Sequence, residues 1–165
     1  MGTALPTVRK KVISLEIDQI SYSAALAKIM GAAKIRKPGY VCFANVHMII
    51  EAYKNESFAK DVNESMLVVA DGMPIVNVLR SLYKFTQERI AGMDVMPDLI
   101  RLAEGESLKV YFFGTSNELL EKIRMKTARE FPSLQIAGLF SPPFDKNIDD
   151  ENYIRQINDS GAHLV

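Results

Sequence analysis

The stretch Met66-Leu67-Val68-Val69-Ala70-Asp71-Gly72-Met73-Pro74 carries the main signals of the fold. Its uninterrupted apolar run predicts a short strand that is buried on both faces, as in a parallel sheet. An acidic residue and a glycine follow the run, and Pro74 stands in the first turn of a helix predicted from Pro74 to Tyr83, where proline is tolerated. A buried strand that leads through a polar turn into a helix is typical of an α/β protein.

The same alternation continues on both sides of this stretch. Four more apolar runs predict strands, namely Val12 to Ile17, Tyr40 to Ala44, Leu108 to Phe113 and Gln135 to Leu139. Helical periodicity appears in the segments Ser21 to Ile35, Val46 to Tyr53, Ser57 to Asn63, Met93 to Glu104, Asn117 to Phe131 and Asp149 to Asn158. We therefore predict a single domain over residues 1–165, an α/β fold with a Rossmann-like, open, mostly parallel sheet and helices on both faces. His163-Leu164-Val165 begins another strand, so we expect the sheet to be truncated before its last strands.

Charge and cysteine usage narrow the class of protein. Acidic and basic residues balance at 20 each, so the chain lacks the basic surplus of a nucleic-acid binder and no nucleic-acid partner is expected. Cys42 is the only cysteine, which fits a reducing compartment. The apolar runs are far shorter than the roughly 20 residues that cross a bilayer. We expect a cytoplasmic protein, with peripheral contact at the inner face of the plasma membrane left open.

Polar residues follow three of the predicted strands, at the edge where open parallel sheets bind ligands. Asn45-Val46-His47 follows the strand at Tyr40, Asp71-Gly72 follows the quoted strand, and Gly114-Thr115-Ser116-Asn117 follows the strand at Leu108. We expect all three segments to face one side. His47 is suited to donate a hydrogen bond to a substrate oxygen or to shuttle a proton.

Asp71 has two interpretations. A carboxylate at the tip of a buried strand can act as a general base. Aspartate is also a preferred helix N-cap, and Asp-Gly is a common turn dipeptide. The local pattern favours neither interpretation over the other.

The segment from Gly114 to Asn117 also has two interpretations, a phosphate-binding turn and a helix cap. Backbone N–H groups at Gly114 and Thr115, ahead of a helix, can hold a phosphate. The segment lacks the lysine of a P-loop and the glycines of a dinucleotide fingerprint, and a plain helix cap explains it equally well. The missing fingerprint after the first strand also argues against a Rossmann-type oxidoreductase.

A polar segment from Glu88 to Asp94 connects two predicted helices. Arg89 can offer its donors to a diphosphate, although an arginine in a loop is commonly a solvated surface charge. Gly92 indicates a tight backbone turn, and Asp94 is predicted to cap the next helix.

Neither a metal nor a cofactor is predicted. The chain has two histidines, one cysteine and no Asp-x-Asp pair, so it offers none of the usual zinc or nucleotide-sugar metal motifs. The methionines at positions 66, 73, 93, 96 and 125 are interpreted as packing residues.

Four segments, in this order, resemble the WecG/TagA/CpsF family of bacterial glycosyltransferases from about Val12 onward. They are Ala44-Asn45-Val46-His47, Ala70-Asp71-Gly72-Met73-Pro74, Glu88-Arg89-Ile90-Ala91-Gly92-Met93-Asp94 and Val110-Tyr111-Phe112-Phe113-Gly114. The resemblance implies transfer of a sugar, N-acetylmannosamine in the best-known members, from a UDP-sugar donor to a lipid-linked acceptor of the undecaprenyl-diphosphate type. The products are cell-wall or surface polysaccharides. It further implies inversion, with Asp71 as the base and Arg89 as the cation beside a diphosphate.

Two departures from the family pattern bear on this expectation. Phe43 stands where members often carry a threonine, so the donor or acceptor sugar can differ from that of other members. A Pro-Lys-Gln-Glu-type motif and a basic C-terminal segment linked to membrane contact do not occur in these 165 residues. The competing interpretation is a truncated, non-catalytic nucleotide-binding or scaffold module of the same fold. Self-association into a homo-oligomer is a further expectation.

Overall fold

The computed structural model describes residues 8–143 and 150–165. In this part of the chain, seven α-helices alternate with six short strands. The chain divides into two compact units, one made of the residues up to Ala32 with Lys37–Met96, and the other of Ala33–Arg36 with Pro97–Val165. The single-domain organisation over residues 1–165 stays a prediction.

The first unit begins with a hairpin where one strand was predicted. Strands β1 (Arg9–Val12) and β2 (Leu15–Asp18) pair antiparallel, with Val12 opposite Leu15. The turn between them places Ile13 at φ 56°, a left-handed backbone that β-branched residues rarely adopt. The prediction of a single strand from Val12 to Ile17 is therefore wrong, because Ile13-Ser14 makes a tight turn without the usual glycine or asparagine.

The next elements of this unit follow the predicted strand–helix alternation. Strands β3 (Val41–Ala44) and β4 (Leu67–Ala70) pair parallel in register. The helices are α1 (Tyr22–Lys34), α2 (Val46–Lys54), α3 (Glu56–Glu64) and α4 (Met73–Tyr83). Both Ser21 and Ser23 are N-cap candidates by residue type, and the structure selects Ser21, whose hydroxyl accepts a hydrogen bond from the Ala24 N–H at 3.2 Å.

Strand β4 lies at the centre of this unit. All its residues are buried, and they pack with the hairpin and with α4 in one apolar core whose members include Leu15, Ile17, Val68, Ala70, Val76 and Leu79. On the side of β4 away from β3, the Asp18 carboxylate accepts from the Val68 N–H at 2.8 Å, and the Ala70 carbonyl accepts from the Ile90 N–H at 2.9 Å. The hairpin and the segment at Ile90 thus occupy the place of a further strand.

The second unit contains another parallel pair. Strands β5 (Lys109–Phe113) and β6 (Gln135–Phe140) are joined by α6 (Asn117–Glu130), and α5 (Gly92–Gly105) precedes them. Val110 forms an isolated parallel bridge with Leu164, and the further strand expected from His163 onward stays a prediction beyond this one bridge. The last helix, α7, spans Asp150–Asp159, and the predicted start at Asp149 lies outside the described residues.

The α/β class and the parallel pairing are therefore confirmed, and both fit a Rossmann-like fold. Two packing predictions are wrong. The continuous apolar run from Tyr40 to Ala44 predicts a strand buried on both faces with Cys42 in the core, but in β3 only Ala44 is buried and Cys42 is partly buried against the core. Four of the methionines interpreted as packing residues are exposed, namely Met73, Met93, Met96 and Met125.

Candidate functional site

The carboxyl ends of β3 and β4 and the segment from Arg89 to Asp94 meet at one edge of the first unit. The Asp71 N–H donates to the Ala44 carbonyl at 2.9 Å, so Asn45 and Asp71 leave neighbouring strands side by side. The Ile90 N–H donates to the Ala70 carbonyl at 2.9 Å, which puts Arg89 next to the same strand end. The structure thus brings together the predicted residues of three sequence segments at this edge.

Asp71 does not cap the helix that follows it. Helix α4 begins at Met73, its N-cap position is Gly72, and no side chain makes a capping hydrogen bond there. Asp71 is partly buried, and its carboxylate has no hydrogen bond or ion pair to any side chain or backbone group in the described residues. A carboxylate held at a strand tip without a protein partner is available to a ligand, whereas the helix-cap interpretation is wrong.

Gly72 provides the turn that separates Asp71 from α4. Its φ of 111° and ψ of 144° lie in a region that is open almost only to glycine. The glycine therefore lets the chain leave β4, present Asp71 at the edge and start the helix within two residues.

Arg89 forms an ion pair with Asp94. The distance from Arg89 Nη2 to Asp94 Oδ2 is 2.5 Å, and the side chains are 39% and 45% exposed. A pair this exposed contributes only about 0–1 kcal/mol, and because a guanidinium has five N–H donors, Arg89 can keep its bond to Asp94 and still donate to a diphosphate. The prediction that Asp94 caps the following helix is wrong, because α5 already begins at Gly92 and Asp94 lies in its first turn.

Phe43 packs against the segment from Arg89 to Asp94. A Cβ atom added at Gly92 would lie 3.7 Å from Cγ of Phe43, so the glycine backbone rests directly over the ring. The residue that departs from the family pattern therefore has a packing role beside the site. Its ring packs against the turn between Arg89 and Asp94 at Gly92.

Asn45 and His47 lie at the start of α2. The Asn45 side-chain oxygen accepts from the Met48 N–H at 3.0 Å and caps the helix, which leaves the amide nitrogen facing outward for a ligand. His47 is exposed in the first turn of that helix. Both side chains share the edge with Asp71.

Gly114 and Thr115 belong to the second unit. They have φ values of 114° and 58°, and Ser116 caps α6 through a 3.3 Å hydrogen bond from the Leu119 N–H. The Gly114 N–H donates to the Phe140 carbonyl at 2.9 Å, and the Ser141 hydroxyl donates to the Thr115 carbonyl at 2.5 Å. The helix cap interpretation of this segment is thus realised by Ser116, and phosphate binding by Gly114 and Thr115 stays a prediction.

Three residues near Arg89 were missed by the sequence reasoning. Glu88 accepts from the Tyr22 N–H, the Tyr22 hydroxyl donates to the Asp94 carbonyl, and the buried Gln87 donates to the Ile20 carbonyl. These contacts join positions far apart in the chain, and no local pattern signals them. In the part of the chain that the structure describes, no cluster of three His, Cys, Asp or Glu side chains is placed to hold a metal ion. Nor does any described helix combine the length and apolarity needed to cross a bilayer.

The sequence from residue 10 to residue 165 matches the model of the glycosyl transferase WecG/TagA/CpsF family. The chain belongs to this family. The match includes every segment of the edge described above. Family membership therefore agrees with the resemblance drawn from the strand-end motifs.

Curated relatives carry one function in their names. An N-acetylglucosaminyldiphosphoundecaprenol N-acetyl-beta-D-mannosaminyltransferase of Bacillus spizizenii is 28% identical over 102 residues, which are 62% of this chain and 40% of the relative. The enzyme of the same name from Bacillus subtilis is 26% identical over 57% of this chain and 37% of its own length. The one from Staphylococcus aureus is 24% identical over 59% and 39%. The matched part of the chain thus spans about two fifths of the length of these relatives.

Proposed function

We propose that the protein transfers a sugar, N-acetylmannosamine or a related hexose, from a UDP-sugar to a lipid-linked acceptor of the undecaprenyl-diphosphate type. The observation that carries this proposal is the carboxylate of Asp71, which has no partner among the described residues and follows the strand end that the Ile90 N–H contacts. The names of the relatives supply the class of donor and acceptor. Such a reaction belongs to the synthesis of cell-wall or surface polysaccharides.

In the proposed reaction Asp71 is the general base. It removes the proton from the acceptor hydroxyl as that oxygen attacks the anomeric carbon of the donor. The bond from that carbon to the diphosphate breaks, UDP leaves with the electron pair, and the configuration at the carbon inverts. This single displacement needs one base on the acceptor side, which is the position that the unpaired carboxylate offers.

Arg89 is proposed to stabilise the negative charge that builds up on the leaving diphosphate. The guanidinium is partly exposed and bonds Asp94 through Nη2, so its other N–H groups can donate to the phosphate oxygens while Asp94 stays bound. Asn45 and His47 are proposed to contact substrate at the same edge, with Gly72, Gly92 and Asp94 shaping it. The turn at Gly114 and Thr115 is proposed to contact the nucleotide, with the Thr115 N–H as the donor, because the Gly114 N–H already donates to the Phe140 carbonyl.

The place of action follows from the acceptor. A polyprenyl diphosphate stays in the membrane, so we propose that the protein acts in the cytoplasm with peripheral contact at the inner face of the plasma membrane. A single domain over residues 1–165 and a homo-oligomeric state are part of the same proposal.

The direct test measures transfer from UDP-N-acetylmannosamine to a prenyl-diphosphate-linked N-acetylglucosamine. Removing the base by Asp71→Asn should lower kcat by about 10²–10⁴-fold, the usual contribution of general base catalysis. Asp61→Asn is the matched control, since Asp61 is exposed in α3 and outside the edge. Equal turnover by wild type and Asp71→Asn would exclude Asp71 as the base.

The alternative is a non-catalytic nucleotide-binding module of the same fold. It predicts that calorimetry detects UDP binding while no transfer occurs with any of the UDP-hexosamines. Wild-type turnover that depends on Asp71 rejects this alternative.

A further inference from the structure

Tyr22 contacts both ends of the segment that carries Arg89. Its backbone N–H donates to the Glu88 carboxylate at 2.5 Å, and its hydroxyl donates to the Asp94 carbonyl at 2.9 Å. Glu88 immediately precedes Arg89, and Asp94 is the residue that pairs with the Arg89 guanidinium. One residue at the start of α1 therefore contacts both ends of the turn, through its backbone N–H and through its hydroxyl.

The contact at the Glu88 end is favourable for two reasons. Tyr22 is the first residue of α1, so its N–H has no acceptor within the helix. A carboxylate at a helix N-terminus also interacts favourably with the helix dipole. Glu88 therefore closes the helix end, and in return the helix holds the residue before Arg89.

Gln87 strengthens the same junction. It is 1% exposed, and its Nε2 donates to the Ile20 carbonyl at 2.9 Å and to the Glu88 carbonyl at 3.0 Å. The residues before Tyr22 and before Arg89 are thus joined in the interior. At the other end of the turn, the Tyr22 hydroxyl and the backbone of α5 together hold Asp94.

We propose that Tyr22 is a positioning residue that fixes the Arg89 guanidinium through Asp94. Asp94 lies in the first turn of α5, the Tyr22 hydroxyl adds a second anchor to its backbone, and the Asp94 carboxylate in turn sets the place of Arg89. The inference rests on the proposed function, in which Arg89 acts on the leaving diphosphate. Tyr22 itself touches no substrate.

Tyr22→Phe removes the hydroxyl and leaves the ring and the Glu88 contact in place. Because Arg89 acts mainly in the transition state, kcat should fall by about 3- to 10-fold, the range of one lost neutral hydrogen bond, with a small change in KM for the donor. Tyr83→Phe is the matched control, since the Tyr83 hydroxyl donates to the Lys11 carbonyl at 2.7 Å, away from the edge. This variant should keep the wild-type kcat.

A double-mutant cycle separates positioning from general structural support. In an Arg89→Lys background, adding Tyr22→Phe should change kcat by less than 2-fold, because the group that Tyr22 positions is already gone. An equal loss in both backgrounds would overturn the proposal. So would an equal loss of kcat in Tyr22→Phe and Tyr83→Phe.

A second measurement does not depend on turnover. The Arg89 Nε–Hε signal in a ¹H–¹⁵N spectrum, assigned by its loss in Arg89→Lys, should shift in Tyr22→Phe and stay in place in Tyr83→Phe. An unchanged signal in Tyr22→Phe would overturn the positioning role even in an active enzyme. If wild type lacks turnover, the proposed function fails, while a shifted signal still supports the link from Tyr22 to Arg89.

Discussion

The carboxylate of Asp18, at the end of the hairpin, accepts a hydrogen bond from the backbone N–H of Val68 in the middle of β4 at 2.8 Å. Both residues have no exposed surface, and the same carboxylate lies 3.2 Å from Nε of Arg9. A side chain thus replaces the neighbouring strand that would otherwise accept from β4. The strand that ends in Asp71 is held in place by this contact.

Asp18→Ala should therefore lower the free energy of unfolding by about 3–5 kcal/mol, because it leaves the buried Val68 N–H without its acceptor and Arg9 without its ion-pair partner. Urea unfolding followed by circular dichroism measures this change. Asp61→Ala, at an exposed position, should stay within about 0.5 kcal/mol of wild type. Similar losses in the two variants would show that the Asp18 contact does not stabilise β4.

The sequence predicted β4 and its polar tip well, since a continuous apolar run with a following glycine and proline has few alternative interpretations. It did not predict the hairpin, because Ile13 adopts its left-handed backbone at φ 56° without any turn residue to signal it. It also could not predict that Tyr22 contacts Glu88, 66 positions away. Local periodicity reports burial along one element, whereas such contacts depend on how elements pack.

The exposed methionines have a related explanation. Met73 and Met93 are 47% and 79% exposed, and each stands at the start of a helix that leaves the edge of the first unit. Their apolar character suggested burial, but residues in the first turn after a strand end project from the edge of the sheet. Hydrophobicity alone therefore misplaced them.

Gly138→Ala should destabilise the second unit. An added Cβ atom would lie 2.4 Å from Cε2 of Tyr111, whose ring is 3% exposed and has little room to move. Overpacking of this kind costs about 1–3 kcal/mol in the free energy of unfolding, which thermal or urea unfolding can measure. Gly105→Ala is the control, since nothing lies within 4 Å of its added Cβ atom. A stable Gly138→Ala variant would mean that the Tyr111 ring leaves this position readily.

The stability of the second unit should fall in mild acid because of His163. Burial is the main cause that lowers the pKa of His163 from its ordinary value near 6.5, and the nearby cations Arg36 and Lys109 lower it further. Its Nδ1 also accepts from the Lys109 N–H at 3.1 Å, a bond that only the form unprotonated at Nδ1 can make. The stability that unprotonated His163 contributes to the folded state is therefore fully present above about pH 6.5, and it is lost as the pH falls through the lowered folded-state pKa.

Unfolding measured between pH 5 and 8 tests this prediction. The free energy of unfolding of wild type should decrease toward pH 5 more steeply than that of His163→Gln, which cannot titrate. Parallel pH profiles for wild type and His163→Gln would contradict the link between His163 and stability.

Gly72→Ala should affect both the fold and the proposed chemistry, because the two share one turn. At φ 111° and ψ 144° an alanine is strained by about 1–3 kcal/mol, so the free energy of unfolding should fall by that amount. If the turn relaxes toward negative φ, the Asp71 carboxylate moves away from the strand tip, and transfer should decrease beyond what the unfolded fraction explains. Gly31→Ala, in α1 with open space around the added Cβ atom, should preserve stability and transfer alike. Comparing kcat at a temperature where all three proteins are fully folded separates the two effects. A Gly72→Ala enzyme with normal kcat under that condition would show that the direction of Asp71 does not depend on this turn.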